Sequence, residues 1–433
     1  EGEGSRLLYA MEVRIEVQAM GQKVVMVISE RVQFDGQPPY AYLSSLSHHQ
    51  DPENEQTIRV RVEDGRLLAV IEEAGVQRTL EREAIDYTFE DFWTPQTWIQ
   101  QGRRVGDGLR VRSFDTSTME SDVDILEVLA TTETVAGGVP LRLYDLGLAS
   151  KRDGDEGTAV VDADGRTMSM QFADMFELRL ESEEVAKTLE VGGDLFLLNT
   201  VPIDRPIGDA PRVRRLVVEV AGDFPLRSGP RQSVARDPST GRVTLSLGAM
   251  YGEPLVATPE SIERNLEETV EFPIHHPAVK AIAEKAVGDA ATPREKVERL
   301  VAFVDTFVQD AVLPNASTVM GLVERPRGDC SEHTLLFTAL ARSLGIPARD
   351  ASGLMYMGDE IQRFGGHVWN EVVLDGVWVP VDATWGQMEI DATHITLARG
   401  DDSASLRMRS QADMELTLKA VETEPTSEPT PSR

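Results

Sequence analysis

Cysteine is all but missing from this chain: 433 residues contain one, Cys330. A single thiol cannot close a disulfide within the chain and cannot build a Cys-rich zinc site, so cysteine usage is silent about the redox compartment. Long apolar runs are missing as well. The longest are of the size of LFLL (195–198), far below the ~20 residues a membrane-crossing helix needs, and the chain is expected to be soluble with no transmembrane segment. Basic charge is short: 43 Lys and Arg against 73 Asp and Glu leave a formal net charge of −30. That balance opposes phosphate backbones and anionic lipid, which excludes nucleic acid as an expected partner. No EF-hand loop of the DxDxDG type occurs, so no calcium site is expected. The chain opens EGEGSRLLYA without an initiator Met, which predicts a processed form or a fragment that has lost its leader.

What is present describes a folded protein. With 41% hydrophobic residues and a length typical of about three domains, each unit can bury a sizeable core. From Arg6 to about Leu247 the chain reads as strand after strand. MEVRIEVQAM (11–20), KVVMVISERVQF (23–34), TIRVRVE (57–63) and RLLAVIEE (66–73) alternate with period two. Asp64-Gly65 and Asp164-Gly165 predict tight hairpins. We read the first 200 residues as a large, curved antiparallel sheet with a few short helices, among them SEEVAKTLE (182–190). His48-His49, in SSLSHHQDPENEQ, reads as part of a solvated polar loop and not as a metal site.

The stretch TVPIDRPIGDAPRVRR (200–215) reads as a linker, followed by a small β module containing RRLVVEVAG (214–222) and GRVTLSLGA (241–249). After Pro273 the pattern turns helical. Thr292, Pro293 and Glu295 form a helix start, and Val297, Leu300, Val301, Val304, Phe307 and Val308 repeat on one face. The expected organisation is a β-rich domain over 1–200, linker and β module over 201–272, a third domain over 273–405, and a C-terminal segment over 406–433. That last segment ends in ETEPTSEPTPSR (422–433), a composition that predicts disorder.

The third domain carries the chemistry. In RPRGDCSEHTLLFTALARSLGIPAR (325–349), Asp329 and Glu332 form a capping box, Leu336, Phe337, Leu340, Ala341 and Leu344 form a buried stripe, and Gly345-Ile346-Pro347 ends the helix. Cys330 thus falls in the first turn, where unpaired N–H groups and the positive end of the macrodipole favour a thiolate and could stabilise an oxyanion. A lone cysteine is more often a buried structural residue; the polar or small neighbours Arg327, Gly328, Asp329, Ser331 and Glu332 argue against that here.

A nucleophile needs a base, and GHVWNEVVLDGVWVPVDATW (366–385) can supply one. Asp375-Gly376 between β-branched runs predicts a two-residue hairpin loop with Leu374 facing Val377. Pairing then runs Val373 with Trp378, Glu371 with Pro380, Trp369 with Asp382 and His367 with Thr384. This register puts His367, Trp369 and Asp382 on one face, with His367 and Asp382 diagonal neighbours. Pro380 lacks a donor, and a bulge there would shift the parity by one residue. A His and an Asp in one hairpin are more often a structural pair; it is the cysteine that favours a catalytic reading. His333 reads as a packing or capping residue, and a zinc site from Cys330, His333 and His367 lacks characteristic spacing. Trp369, Trp378 and Trp385 read as hairpin packing, with Trp385 and Trp369 the candidates to meet substrate. Asn315, in LPNAST, could donate to an oxyanion.

RGDCSEHTLLFTALARSLGIPAR, GHVWNEV and WVPVDATW together resemble the core of the transglutaminase-like superfamily over residues 275–400. The resemblance implies an α+β fold: a papain-like core with the Cys-bearing helix packed on an antiparallel sheet bearing His and Asp, behind the large β-rich N-terminal region. It implies Cys330 as nucleophile, His367 as base and Asp382 as orienting group, acting on an amide or peptide bond by hydrolysis or transamidation through a thioester. No cofactor or metal is expected, because no EF-hand loop accompanies the motifs, although animal members of the family use calcium. The resemblance implies a protein or peptide substrate, such as a cell-wall peptide, and a periplasmic or extracytoplasmic location. The alternative is a catalytically silent envelope binding or scaffold protein that keeps the fold.

Overall fold

The structure is a computed structural model. It describes residues 5–19, 22–52, 54–136, 139–150, 156–172, 176–186, 200–222, 226–248, 251, 253–311, 317–400 and 414–424.

The period-two alternation of the first region becomes two antiparallel meanders. Strands β1 (Arg6–Ala19), β2 (Gln22–Asp35), β3 (Tyr42–Gln50), β4 (Glu55–Glu63), β5 (Arg66–Glu73) and β6 (Val76–Glu83) pair in sequence order. A second six-stranded sheet follows, of β7 (Gly108–Asp115), β8 (Glu120–Ala136), β9 (Val139–Ser150), β10 (Glu156–Asp162), β11 (Thr167–Phe172) and β12 (Phe176–Arg179). Neighbour-to-neighbour pairing is what short turns impose. Asp64 and Gly65 both have positive φ (49° and 74°) and join β4 to β5, with Glu63 opposite Arg66. Asp164-Gly165 lies in a longer turn between β10 and β11, where the register shifts at Val160/Val161.

The N-terminal region is therefore two sheets, not one. Between them runs helix α1 (Phe89–Gln100), started by a capping box of Thr88 and Asp91, which the period-two reading missed. His48 and His49 lie inside β3, not in a loop, and His48 Nδ1 sits 3.1 Å from Thr57 Oγ1 of β4. Of the expected helix 182–190, α2 covers Glu183–Ala186 and residues 187–190 lie outside the described residues.

The second half builds a small sheet, a helical layer and a central sheet. The expected linker contributes β13 (Val201–Pro202), which pairs with the central strand of the site; β14 (Val213–Ala221), β15 (Gln232–Arg236) and β16 (Val243–Gly248) follow. Helices α3 (Pro259–Arg264), α4 (Pro277–Val287) and α5 (Pro293–Phe307) lead to β17 (Gln309–Asp310), α6 (Val319–Glu324), β18 (Arg327–Gly328) and α7 (Cys330–Ser343). Then come β19 (Ala348–Tyr356), β20 (Arg363–Leu374), β21 (Val377–Val381), β22 (Ile395–Arg399) and β23 (Glu415–Thr423). The central sheet has the order β13-β20-β19-β22 with β21 on β20; the small sheet has the order β15-β16-β14-β23. Glu422 and Thr423, expected in a disordered tail, belong to β23, which pairs with β14; residues 425–433 lie outside the described residues.

Two apolar clusters hold the central sheet. Ala348, Val372, Leu374 and Val381 pack with the helical layer through Val297, Leu300, Val304, Leu336, Phe337 and Leu340. Leu354, Tyr356, Phe364 and Ile395 pack with Leu216, Leu245 and Leu416 of the small sheet. Burial of each such side chain contributes about 1.5–3 kcal/mol, so both ends of β20 are fixed and the segment around His367 between them is held rigid. The first sheet is tied on by a buried ion pair, Arg78 Nε to Glu73 Oε1 at 3.1 Å, from which Arg78 also bonds the carbonyl oxygens of Thr269 and Val270.

Candidate active site

The Asp329 carboxylate caps α7: it accepts from Ser331 N (2.8 Å) and, in the capping box, from the Glu332 N–H, while Glu332 Oε2 accepts from Asp329 N (2.8 Å). Cys330 is the first helical residue, and at the far end Gly345 takes a positive φ of 76°. The apolar stripe is buried, but so are Thr334, Thr338 and Arg342 on other sides, making this a central helix and not an amphipathic surface one. Those polar positions are clamps. Thr334 Oγ1 donates to Val368 O (3.1 Å), and Asn370 Nδ2 donates to Thr334 O (3.1 Å) and Thr338 Oγ1 (2.9 Å). They lock the helix carrying Cys330 to the strand carrying His367.

Burial raises the Glu332 carboxyl to about 8, helped by the neighbouring Asp329 charge. His333 is fully buried, and its Nδ1 donates to the Asp329 carbonyl oxygen at 2.7 Å, which already accepts from the His333 backbone N–H.

The hairpin register holds from Leu374–Val377 through Glu371–Pro380 to Asn370–Val381. Beyond Val381 the expected pairs Trp369–Asp382 and His367–Thr384 do not form: β21 ends and Asp382 bridges to Gln387. This departure leaves Asp382 free to turn toward the imidazole, with its Oδ2 2.8 Å from His367 Nε2. Asp382 Oδ1 accepts from the backbone N–H of Thr384 (2.8 Å) and of Trp385 (3.4 Å). Cys330 lies beside the His367 ring: both line one cavity, and the cysteine side chain favours the charged form of the imidazole. With Nε2 committed to Asp382, the nitrogen left for sulfur is Nδ1. Cys330, His367 and Asp382 are thus brought together in that order.

Burial disfavours a charged His367, but the Asp382 carboxylate outweighs it and raises the imidazole to about 9. For Asp382, burial pushes upward, and His367 and His394 overcome it, holding the carboxyl well below its ordinary range. His394 was not singled out in the sequence. Its Nε2 lies 3.1 Å from the same Asp382 Oδ2, and its Nδ1 lies 3.3 Å from Asp391 Oδ1. It sits in DATHIT, which has no spacing that points to Asp382.

His367, Asp382 and His394 each offer a ligand-type atom within 4.8 Å of the others. Both imidazoles converge on one carboxylate oxygen of Asp382 at hydrogen-bond distances, 2.8 and 3.1 Å.

A cavity of about 710 Å³ opens over Cys330 and His367, walled by Gly208–Pro211 from the upstream stretch, by Met355, Tyr356 and Met357, and by Trp385. Trp385 is 56% exposed at its rim. Trp369 does not line it: the indole is buried, stacked under the His367 ring at 5.9 Å and edge-on to His394 at 5.2 Å. Its expected contact with substrate gives way to support of the two rings. Trp378 is also buried, beneath the Arg349 guanidinium. Asn315 lies outside the described residues.

One comparison with known proteins falls on this segment. Residues 280–383 match the model of the transglutaminase-like superfamily. The segment is a transglutaminase-like core. It runs from within α4 to the Asp382 turn and so contains Cys330, His367 and Asp382. Among solved structures, a chain described as a candidate cysteine protease from Cytophaga hutchinsonii is 16% identical, covering 49% of this chain and 86% of that one, with a TM-score of 0.30. A candidate protease from Parabacteroides distasonis is 10% identical, covering 88% and 71%, with a TM-score of 0.22. No curated protein matches in sequence. No helix among the described residues is long and apolar enough to cross a membrane.

Proposed function

We propose that this protein is a cysteine-dependent acyl-transfer enzyme acting on an amide or peptide bond of a protein or peptide. The observation that carries the reading is that Cys330 and His367 line one open cavity, with Asp382 Oδ2 2.8 Å from the imidazole behind them. Cys330 sulfur, as thiolate, attacks the carbonyl carbon and the C=O electrons move to oxygen. Imidazolium His367 gives its proton to the leaving amine as the C–N bond breaks, leaving a thioester. Water or a second amine then attacks the thioester, His367 takes its proton, and the C–S bond breaks to return the thiolate. Asp382 keeps Nε2–H of His367 engaged, so Nδ1 stays aimed at sulfur. The Asp329 carboxylate occupies the N–H groups of Ser331 and Glu332, so the Cys330 N–H is the first-turn donor suited to a developing oxyanion.

Among the described residues the cavity lining includes Asp209, Asp310, Asp329 and Asp391 and contains no Lys or Arg. A substrate with positive charge beside the scissile amide suits such walls. The test is amide hydrolysis and amine incorporation on matched Lys/Arg-containing and Asp/Glu-containing peptides, with wild type, Cys330→Ala and His367→Ala. Cys330→Ala should abolish turnover, His367→Ala should lower it about 10²–10⁴-fold, and basic peptides should turn over faster. Unchanged turnover in Cys330→Ala would refute the proposal.

A further inference from the structure

The Asp382 carboxylate has more partners than a triad requires. Its Oδ2 receives His394 as well as His367, and His394 in turn reaches Asp391. Asp391 is itself anchored: Oδ1 accepts from Thr393 N (2.7 Å) and Thr393 Oγ1 (2.6 Å), and Oδ2 accepts from Gln387 Nε2 (2.9 Å). His394, Asp382 and Asp391 are all buried.

A neutral imidazole has one donor nitrogen and one acceptor nitrogen. Both ring nitrogens of His394 face carboxylate oxygens, which only accept, so a neutral ring would set a lone pair against a buried anion. The other charges that face this ring are His367 on β20, with its centroid 5.6 Å away, and Arg231 ahead of β15, which bonds Ile390 O at 2.6 Å and interacts with Asp391 from outside. Asp305 of α5 interacts with Asp382 from the helical side, and Cys330 lies beyond His367.

We infer that His394 and Asp391 are positioning residues for the site: His394, doubly protonated between the two carboxylates, fixes Asp382 and sets the pH at which His367 gives up its proton. The inference rests on the reading of Cys330, His367 and Asp382 as an acyl-transfer triad. A buried cation one ring away from His367 opposes its protonation. Removing that cation leaves Asp382 and Asp391 acting on His367 unopposed, so the proton is held to higher pH. His394→Gln retains an N–H donor toward Asp382 and removes the charge, which separates the electrostatic role from simple packing.

The experiment is a nitrogen-15 NMR titration of selectively labelled histidines in wild type, Cys330→Ala and His394→Gln, assigned by single substitution among the seven histidines. It is paired with the pH dependence of Cys330 alkylation by iodoacetamide. At pH 7 both nitrogens of His394 should carry protons in the wild-type protein. In His394→Gln the His367 titration should move up by about one unit, and the alkylation profile should move with it. A neutral His394 at pH 7, or an unmoved His367 titration in His394→Gln, would overturn the inference. If instead Cys330→Ala keeps full amide turnover, the triad reading fails while the ring titrations still report on His394.

Discussion

Asn370 and Thr338 stand 2.9 Å apart, amide nitrogen to hydroxyl oxygen, and both are buried at the seam between β20 and α7. The same amide also donates to Thr334 O at 3.1 Å, so one side chain ties the strand of His367 to the helix of Cys330.

Replacing Asn370 tests that tie. Asn370→Ala leaves the Thr334 carbonyl short of a buried partner and should cost about 1–3 kcal/mol by denaturant unfolding. Turnover should fall further than the loss of folded protein accounts for, because the spacing between thiol and imidazole is released. An activity loss that merely tracks the folded fraction would show that α7 and β20 keep their register without this amide.

Gly353 lies opposite His367 in the β19–β20 ladder, and a Cβ there would meet Ile395 O at 1.8 Å. No side chain can be accommodated without pushing β22 away, and the residue before Ile395 is His394. Gly353→Ala should therefore destabilise by at least about 1–3 kcal/mol, the usual cost of overpacking, and should displace the His394 ring resonances. Wild-type stability in this variant would mean that β22 yields freely.

Gly366 is the opposite case. It lines the cavity beside His367, and a Cβ added to it meets nothing within 4 Å. Gly366→Val should fold with near-wild-type stability, keep alkylation by small iodoacetamide, and lose turnover of peptides about 10-fold or more through KM, since a 1.4 kcal/mol loss of binding is tenfold. Unchanged peptide kinetics would place the scissile bond elsewhere in the cavity.

Stability should depend on pH with a definite sign. His367 and His394 are raised from 6.5 to about 9 against the opposing effect of burial, by Asp382 for the first and by Asp382 and Asp391 for the second. The folded state thus binds extra protons, and the resulting stabilisation is full below pH 6.5 and lost as pH rises through about 9. Glu332, raised from 4.5 to about 8 by burial, adds a penalty that grows as pH rises from 4.5 to about 8, with the same sign. Because the two rings share one carboxylate, their protons should leave as a coupled set. Melting temperature should fall steadily from pH 6.5 to 9, less steeply in His394→Gln; a rise over this window would contradict the assignment of imidazolium rings.

The features legible in the sequence are those whose cause is local. The cap at Asp329, the stop at Gly345 and the turn at Asp375-Gly376 depend on a few adjacent residues, and they place Cys330 and set the pairs from Leu374–Val377 to Glu371–Pro380. Period-two alternation foretold a β-rich first half but not its division into two sheets, because alternation marks which face is buried and not where a sheet ends. His48 and His49 looked like loop residues because polar neighbours surround them, yet backbone pairing with β2 and β4 continues through Gln50.

By itself the sequence determined the helix that begins at Cys330 and the hairpin that carries His367, since capping and turn geometry act over a few residues. Tertiary structure alone decided that the chain leaves the ladder at Asp382, that Trp369 is buried under the rings, and that Val201–Pro202 and Glu415–Thr423 complete distant sheets. It also decided that His394 reaches Asp382. These contacts form only when two apolar clusters close on the central sheet and force buried carboxylates and imidazoles to satisfy one another.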